Sequence, residues 1–300
     1  MKSGKVILAL TTILGVASFA GCSEGPRHTV TRISAKKQEP FYEVPVYESL
    51  DEEYARKYFE NEYDNWPKSE TQGGGCSAIS KTLTKTVDGV EMKGDTIVGR
   101  NMDLNLSYKS TYLIRTNVGK YKTFGLAYTF RDISPDESEI LAKNETIGDK
   151  FYKVLPYMCD DIMNDRGLFV EINMRNAEYR STDGKDMFSC SGTKPTVKER
   201  TYMFQVGRYI AENCETVNEA IDYVSTLNVY SKENYWNYAF TVSDPTGDKV
   251  LIEFAQNTIF FSRGGVDDGE FTDIMRREKP SYHLLSSVDG DPILQTNYYI

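Results

Sequence analysis

The sequence GGGCSAI at residues 73–79 is followed by a second short segment, GRNMD, at residues 99–103. Three consecutive glycines can adopt backbone conformations that other residues avoid. The β-rich runs that begin at these segments are separated by a turn-rich stretch, a pattern that predicts a β-hairpin. Such a hairpin would bring the thiol of Cys76, the guanidinium of Arg100 and the carboxylate of Asp103 to one end of a sheet. We interpret these three groups as a candidate catalytic site.

The two segments resemble the choloylglycine hydrolases, a family of N-terminal-nucleophile hydrolases that includes bile salt hydrolases and penicillin V acylases. In that family a cysteine becomes the first residue of the mature enzyme, and a Gly-Arg-Asn-Leu/Met-Asp strand follows it. Cys76 and residues 99–103 match this pattern, with Ser77 where many members have threonine. Acid ceramidase-like amidases begin with a similar sequence, so the match identifies the superfamily more closely than it identifies the substrate. The resemblance implies a four-layer αββα sandwich.

The chain contains two histidines, His28 and His283, which limits the ways in which a cysteine could be activated. A papain-like enzyme needs a histidine base beside its thiol, and His283 is the one candidate. A cysteine at the start of a mature chain can use its own α-amine as the base. That amine has a reference pKa of about 7.7–8.0, close to neutrality as a general base requires. The scarcity of histidine therefore favours cleavage between Gly75 and Cys76.

The resemblance also implies a role for each neighbouring residue. Asp103 would orient the α-amine of Cys76, and Arg100 would lie beside the thiol, where a positive charge favours the thiolate. Without the resemblance, Arg100 and Asp103 could equally form an exposed ion pair on a strand.

Two later segments extend the match. MNDRGL at 163–168, followed by Asn173, is similar to the Met-Asn-Glu-Lys-Gly-Leu turn and strand of the family, and LQTN at 294–297 is similar to its Leu-Thr-Asn segment. The resemblance implies an oxyanion hole made by the backbone N–H of Asn173 and the side chain of Asn297. The family has a further arginine downstream of Asn297, so we expect residues 76–300 to form an incomplete amidase domain.

Charge and cysteine content exclude several other classes of protein. The formal net charge is -9, and no basic stripe is present, which argues against a nucleic-acid partner. Of the five cysteines, Cys159, Cys190 and Cys214 remain after Cys22 and Cys76 are set aside. Their spacing matches no zinc pattern, and they allow at most one disulfide. We expect no metal and no cofactor.

The first residues predict export. Lys2 and Lys5 precede an apolar run, residues 6–20, that is too short to span a bilayer. The run ends in FAGC at 19–22, which resembles a lipoprotein signal with Cys22 as the lipidated residue. We expect a signal peptide over 1–21 and an extracytoplasmic protein attached to the membrane through Cys22. The alternative is an ordinary cleaved signal peptide.

Residues 22–75 predict a tether and a propeptide. Residues 23–38 are polar and aperiodic, as expected for a tether. After Asp51, a suitable N-cap, aromatic residues recur at helical spacing: Tyr54, Tyr58, Phe59 and Tyr63. This helix would belong to a propeptide that packs on the catalytic domain, or it would be a surface helix of the domain itself.

The remaining pattern is β-rich, then helical, then β-rich, which predicts an α+β layered domain. Strands are predicted over 112–117, 123–130, 167–174, 238–243, 249–255 and 258–261. Helices are predicted over 155–164, 201–212 and 217–227, with Thr216 as the N-cap of the last.

The leading interpretation is an extracytoplasmic amidase that hydrolyses the linear amide bond of a small N-acyl substrate. An acid ceramidase-like enzyme and a lipoprotein binding module that has lost its chemistry are the alternatives. A homo-oligomer is compatible with either. Cleavage before Cys76 would sever the covalent link to Cys22, so we hypothesise that maturation releases the catalytic domain.

Overall fold

The computed structural model describes residues 26–34, 40–65, 74–104, 108–130, 145–175, 190–191, 200–230, 237–255, 258–263, 283–285 and 293–296. Its helices are α1 (Glu52–Asn65), α2 (Asp149–Val154), α3 (Met203–Asn213) and α4 (Val217–Val224), with a 3₁₀ turn over Leu155–Met158. Its strands are β1 (Arg27–Thr29), β2 (Thr31–Arg32), β3 (Phe41–Glu43), β4 (Gly74–Val87), β5 (Val90–Leu104), β6 (Tyr108–Thr116), β7 (Thr123–Phe130), β8 (Thr146–Gly148), β9 (Cys159–Asn164), β10 (Phe169–Arg175), β11 (Cys190–Ser191), β12 (Arg200–Tyr202), β13 (Asn228–Tyr230), β14 (Asn237–Ser243), β15 (Lys249–Ala255), β16 (Thr258–Arg263), β17 (His283–Leu285) and β18 (Ile293–Thr296).

Two sheets carry most of these strands. The larger has nine strands in the order β16-β15-β14-β10-β9-β7-β6-β3-β2, and the smaller has four in the order β17-β18-β4-β5. Neighbours in the large sheet are antiparallel except β3 and β6, which are parallel. The long β4–β5 hairpin turns at Asp88 and Gly89, both with positive φ. An Asp-Gly pair favours such a tight turn because it tolerates that conformation.

The large sheet has a helical face and a face turned toward the small sheet. On the helical face, a Cβ placed on Gly207 of α3 would lie 2.7 Å from Ile172 Cδ1, so glycine permits the close approach of α3 to β10. On the other face, Ser243 Oγ of β14 donates a hydrogen bond to Ser80 Oγ of β4 at 2.9 Å. Helices, large sheet and small sheet therefore stack in layers, which confirms the α+β layered prediction.

Most predicted strands and helices are confirmed, with shifts of a few residues at their ends. The first turn of α4 has the predicted cap, because Thr216 Oγ1 accepts a hydrogen bond from Glu219 N at 3.2 Å. The prediction of a helix over 155–164 is wrong. Its first turn is 3₁₀, and the rest is β9, an interior strand of the large sheet. Pairing with two neighbouring strands there overrides the weak helical spacing of its apolar residues.

The chain before Cys76 is more ordered than its composition indicated. The prediction of a tether over 23–38 is wrong for β1 and β2, which pair with β8 and β3. Both are very short, and β2 lies at the edge of the large sheet, where polar residues are ordinary. The helix after Asp51 is confirmed as α1, and its cap forms, since Tyr54 N donates to Asp51 Oδ1 at 3.0 Å. The domain boundary at residue 76 stays a prediction.

Several predictions about the termini are untested. The signal peptide over 1–21 and the lipidated Cys22 lie outside the described residues. Among the helices that the structure describes, none combines the length and apolar character needed to cross a bilayer. Cys159 and Cys214 are buried free thiols.

Candidate active site

The β4–β5 hairpin fixes the relative positions of the predicted nucleophile and its neighbours. Cys76 pairs with Met102, and Gly75 pairs with Asp103. Arg100 lies two residues from Met102, opposite Ala78. Because residues alternate between the two faces of a strand, the positions of Cys76 and Arg100 share one face, and that of Asp103 belongs to the other. The backbone register therefore brings the three positions near one end of the hairpin, with Asp103 opposite Gly75, and the predicted roles of these residues stay predictions.

Arg100 reaches from the small sheet into the large one. Its side chain is 8% exposed, and its Nη2 donates to the carbonyl oxygen of Ile172 at 2.7 Å. Its Nη1 donates to Asp161 Oδ1 at 3.4 Å, and its Nε lies 3.4 Å from Glu171 Oε1. The guanidinium therefore contacts residues of β9 and β10 and has little contact with solvent. This excludes the alternative of an exposed ion pair between Arg100 and Asp103.

An irregularity in the large sheet adds a third carboxylate. Leu126 of β7 pairs with Asp161 of β9, but the next residue, Ala127, pairs with Cys159. Asp160 is therefore an extra residue on β9, a β-bulge. Bulges redirect side chains that strict alternation would send to the opposite face. Asp160 Oδ2 lies 4.0 Å from Arg100 Nη1, so two consecutive carboxylates approach the same guanidinium.

Three carboxyl groups surround one guanidinium, and burial makes it unfavourable for all three to be ionised. Burial, opposed by Arg100, raises the pKa of Glu171 to about 8. Burial likewise raises the pKa of Asp160 to about 7 and raises that of Asp161, again opposed by Arg100. The side chain of Glu171 is 2% exposed and that of Asp160 is 25% exposed, so desolvation acts more strongly on Glu171. Near neutral pH this cluster holds at least one proton that ordinary carboxyl groups would have lost.

Asn173 adjoins this cluster on β10. It is 1% exposed, and its Nδ2 donates to Glu171 Oε1 at 3.2 Å. Within the part of the chain that the structure describes, Asn173 Oδ1 has no hydrogen-bond partner. Glu171 therefore links the predicted oxyanion residue Asn173 to Arg100, and Ile172 between them binds the same guanidinium. Asn297 lies outside the described residues, but the preceding residue, Thr296, pairs with Ser77 of β4.

Sequence reasoning missed three acidic residues of the site: Asp160, Asp161 and Glu171. Glu171 had a detectable signal, because it stands between Val170 and Ile172 in a strand that was correctly predicted. A carboxylate inside an apolar strand is costly unless it is paired, so it marks a polar cluster. The two aspartates were hidden by the mistaken helix over 155–164. No group of three or more His, Cys, Asp or Glu residues suited to a metal occurs among the described residues.

Comparisons with known proteins give remote similarities. No protein-family model and no curated protein matches the chain. Two solved structures of variants of conjugated bile acid hydrolase from Clostridium perfringens are 13% and 16% identical, cover 73% and 72% of this chain, and have TM-scores of 0.32 and 0.38. Penicillin V acylase from Agrobacterium tumefaciens is 10% identical over 79% of this chain, with a TM-score of 0.29. The chain spans 55%, 63% and 49% of the length of these three proteins.

Proposed function

We propose that this protein is an amidase that hydrolyses the linear C–N bond of small N-acyl amides through Cys76, after cleavage of the Gly75–Cys76 bond. The observation that carries the proposal is the β4–β5 register. It places Cys76 on the same face of one hairpin as Arg100, whose guanidinium is held in a buried carboxyl cluster. An arginine fixed in this way beside a cysteine position favours a thiolate.

Processing and turnover would use the same nucleophile. The Cys76 thiol would first attack the carbonyl carbon of Gly75, and the peptide C–N bond would break as an N-to-S acyl shift. Water would then hydrolyse the thioester and leave Cys76 with a free α-amine. In turnover the thiolate would attack the substrate carbonyl, and the α-amine would take the thiol proton and pass it to the departing amine. Water would release the acyl group from sulfur and regenerate the thiol.

The neighbouring residues would orient the α-amine, stabilise the oxyanion and position Arg100. Asp103 stands opposite Gly75, so its backbone is the register neighbour of the bond whose cleavage creates the α-amine. We assign to Asp103 the orientation of that amine. Asn173, with Asn297, would stabilise the oxyanion of the tetrahedral intermediate, for which one donor is typically worth about 10²–10³ in rate. Glu171 would act as a positioning residue, because it contacts both Arg100 and Asn173.

The proposal includes the cellular location. The basic and apolar pattern of residues 2–20 and the FAGC sequence at 19–22 support export and lipid attachment through Cys22. Replacement of Cys22 by serine should then move the protein from the membrane fraction of expressing cells to the soluble fraction. An unchanged distribution would contradict the anchor and would leave the amidase proposal intact.

The decisive experiment is intact mass and amide hydrolysis for wild type, Cys76→Ser and Cys76→Ala. We expect wild type to be cut before Cys76 and to hydrolyse at least one member of a panel of bile salt conjugates, phenoxyacyl penicillins and acyl-homoserine lactones. Cys76→Ser should be cut slowly or not at all, because a hydroxyl is a weaker nucleophile than a thiolate. Full turnover by Cys76→Ala would eliminate the nucleophile. A folded wild-type chain that is never cut would favour the binding module.

A further inference from the structure

Strand β3, which precedes Cys76 in the chain, occupies an interior position of the large sheet. We infer that residues 26–65 stay bound as a noncovalent subunit after the Gly75–Cys76 bond is cut, so that processing yields a two-chain protein and releases nothing. The inference rests on the proposed cleavage. It replaces the hypothesis that maturation releases the catalytic domain.

The first argument is the position of β3 in the large sheet. Parallel pairing joins Tyr42 of β3 to Tyr112 of β6, and beyond the strand Val44 N donates to the carbonyl oxygen of Leu113 at 3.1 Å. Farther on, Tyr47 N donates to the carbonyl oxygen of Arg115 at 2.9 Å. Departure of this segment would leave β6 as an open edge strand with a row of unpaired backbone groups.

The second argument is the apolar surface that the segment buries. Six of its residues are at most 4% exposed and lie in the main core of the molecule: Val30, Tyr42, Val44, Tyr47, Ala55 and Phe59. The ring of Phe59 on α1 contacts that of Phe204 on α3, with centroids 3.9 Å apart. Buried side chains of this number are typical of a permanent interface, whose centre resembles a domain core.

The third argument is a set of polar contacts that only the intact assembly satisfies. Glu52 at the start of α1 forms an ion pair with Arg208 of α3, a residue that is 2% exposed. Glu52 Oε2 also accepts hydrogen bonds from Gln205 Nε2 at 3.0 Å and from Tyr209 OH at 2.9 Å. Loss of the segment would remove one carboxylate from a buried arginine and leave these donors without their acceptor, which is strongly unfavourable.

A second polar contact lies at the other end of the segment. His28 of β1 stacks on Tyr152 of α2, with ring centroids 3.7 Å apart, and bonds to Asp149 Oδ1 at 3.0 Å. Tyr47 packs on the same Tyr152 ring, at a centroid distance of 4.4 Å, and its hydroxyl donates to the Tyr152 carbonyl oxygen at 2.8 Å. The segment is therefore fixed at both ends. A lipid on Cys22 would keep holding the cut enzyme at the membrane through this interface.

The test separates retention from self-processing. A recognition site for a sequence-specific protease, flanked by flexible residues, is inserted between residues 66 and 73 of the full chain carrying Cys76→Ala. The purified protein is cut without denaturant and followed by native mass spectrometry and size-exclusion chromatography. We expect both fragments to remain in one particle and to separate only in denaturant. Loss of the N-terminal fragment from a particle that keeps its circular dichroism would overturn the inference, whether or not wild type processes itself.

A matched pair of variants on α1 sharpens the test. Glu52→Gln removes the charge that Arg208 faces, and Glu53→Gln removes a charge whose recorded partner is the exposed Lys57. We expect Glu52→Gln to raise the rate of fragment dissociation by about tenfold, because it removes one of the two carboxylates that pair with the buried Arg208, although the Glu52 side chain itself is 44% exposed. Glu53→Gln should leave that rate unchanged. Equal rates in the two variants would show that the buried contact does not hold the segment and would contradict the third argument.

Discussion

Among the described residues, Arg208 and Arg100 have buried side chains on opposite faces of the large sheet, and their surroundings differ. Arg208 lies on the helical face, where its Nη1 is 2.5 Å from Glu212 Oε2 and its Nη2 pairs with Glu52. Its guanidinium carbon is 4.3 Å from the centre of the Tyr157 ring. Although burial lowers the pKa of Arg208, Glu212 and Glu52 raise it further, so the charge is well compensated.

Arg100 lies between the sheets in a looser arrangement. Its nearest carboxylate oxygens, on Asp161 and Glu171, are both 3.4 Å away, and the third, on Asp160, is 4.0 Å away. There the pKa of each carboxyl group is raised by burial despite the guanidinium, and the pKa of Glu212 beside Arg208 is raised in the same way, so the two sites differ in geometry and in the number of carboxyl groups. Three carboxyl groups with raised pKa values around one guanidinium fit the clusters of perturbed groups that are typical of functional sites. We therefore expect Arg208 to matter mainly for stability and Arg100 mainly for chemistry.

The largest effect we expect is on folding, from Arg208→Met. Removal of one member of a close buried ion pair leaves the others uncompensated, which costs about 3–5 kcal/mol. Urea unfolding followed by circular dichroism measures this loss. The control is Arg200→Met, because Arg200 is exposed on β12, and surface changes usually stay within about 0.5 kcal/mol.

A second variant tests the reason for that loss. Arg208→Met combined with Glu212→Leu should recover part of the stability, because a buried pair replaced by apolar residues of similar size is often tolerated. A loss below about 1 kcal/mol for Arg208→Met alone would remove the basis of the comparison.

The next effect concerns reactivity, from Arg100→Met. If Arg100 lowers the thiol pKa by about one to two units, its removal reduces the thiolate fraction, and with it turnover at neutral pH, by about 10- to 100-fold. Peptide-level mass spectrometry of Cys76 alkylation against pH measures the thiol pKa directly. Arg100→Lys keeps the positive charge but loses the planar guanidinium with its several hydrogen-bond donors. It should therefore preserve part of the lowering of the thiol pKa.

The same variant can contradict the assignment. A stability loss as large as that of Arg208→Met, with an unchanged alkylation profile, would make Arg100 a structural residue as well. We expect a smaller stability loss, because the neighbouring carboxyl groups can take up protons when the guanidinium is absent.

The two arginines also show what the sequence could reveal. Arg100 was identified through the GRNMD motif, whose residue types carry a recognisable chemistry at a fixed spacing. Arg208 gave no comparable signal, since it stands in a correctly predicted helix, and its partner Glu52 is far away in the chain. Helix α1 was predicted with its cap, but its docking on α3 depends on tertiary contacts that local periodicity does not encode.

The site shows the same division between local and long-range information. Cys76 and Asp103 could be placed because a hairpin is a local structure with a defined turn. The carboxyl cluster required knowledge that β9 lies between β7 and β10, and the bulge at Asp160 depends on that pairing. Strand order is set by contacts distant in sequence, so Asp160 and Asp161 could not be assigned to the site beforehand.

The last effect we expect is a change in the pH dependence of stability, from Glu171→Gln. Burial raises the pKa of Glu171 from its ordinary value near 4.5 to about 8 in the folded protein. Between these values the folded state binds more protons than the unfolded state. Stability therefore falls as pH rises through this window, by at most about 1.4 kcal/mol per pH unit for one proton.

Urea unfolding of wild type between pH 5 and pH 9 should show that decline, and Glu171→Gln should flatten it, because glutamine has no proton to lose. Glu91→Gln, an exposed change on β5, should keep the wild-type slope. The matched change at the other arginine, Glu212→Gln, should lower stability most at the high end of the range, where the carboxylate forms its 2.5 Å ion pair with Arg208, and less toward low pH, because burial raises the pKa of Glu212. If Glu171→Gln kept the wild-type slope, the excess proton would not reside on Glu171. The proton would then reside on Asp160 or Asp161, whose pKa values burial also raises, and a wild-type profile that is itself flat would remove the distinction between the two arginines.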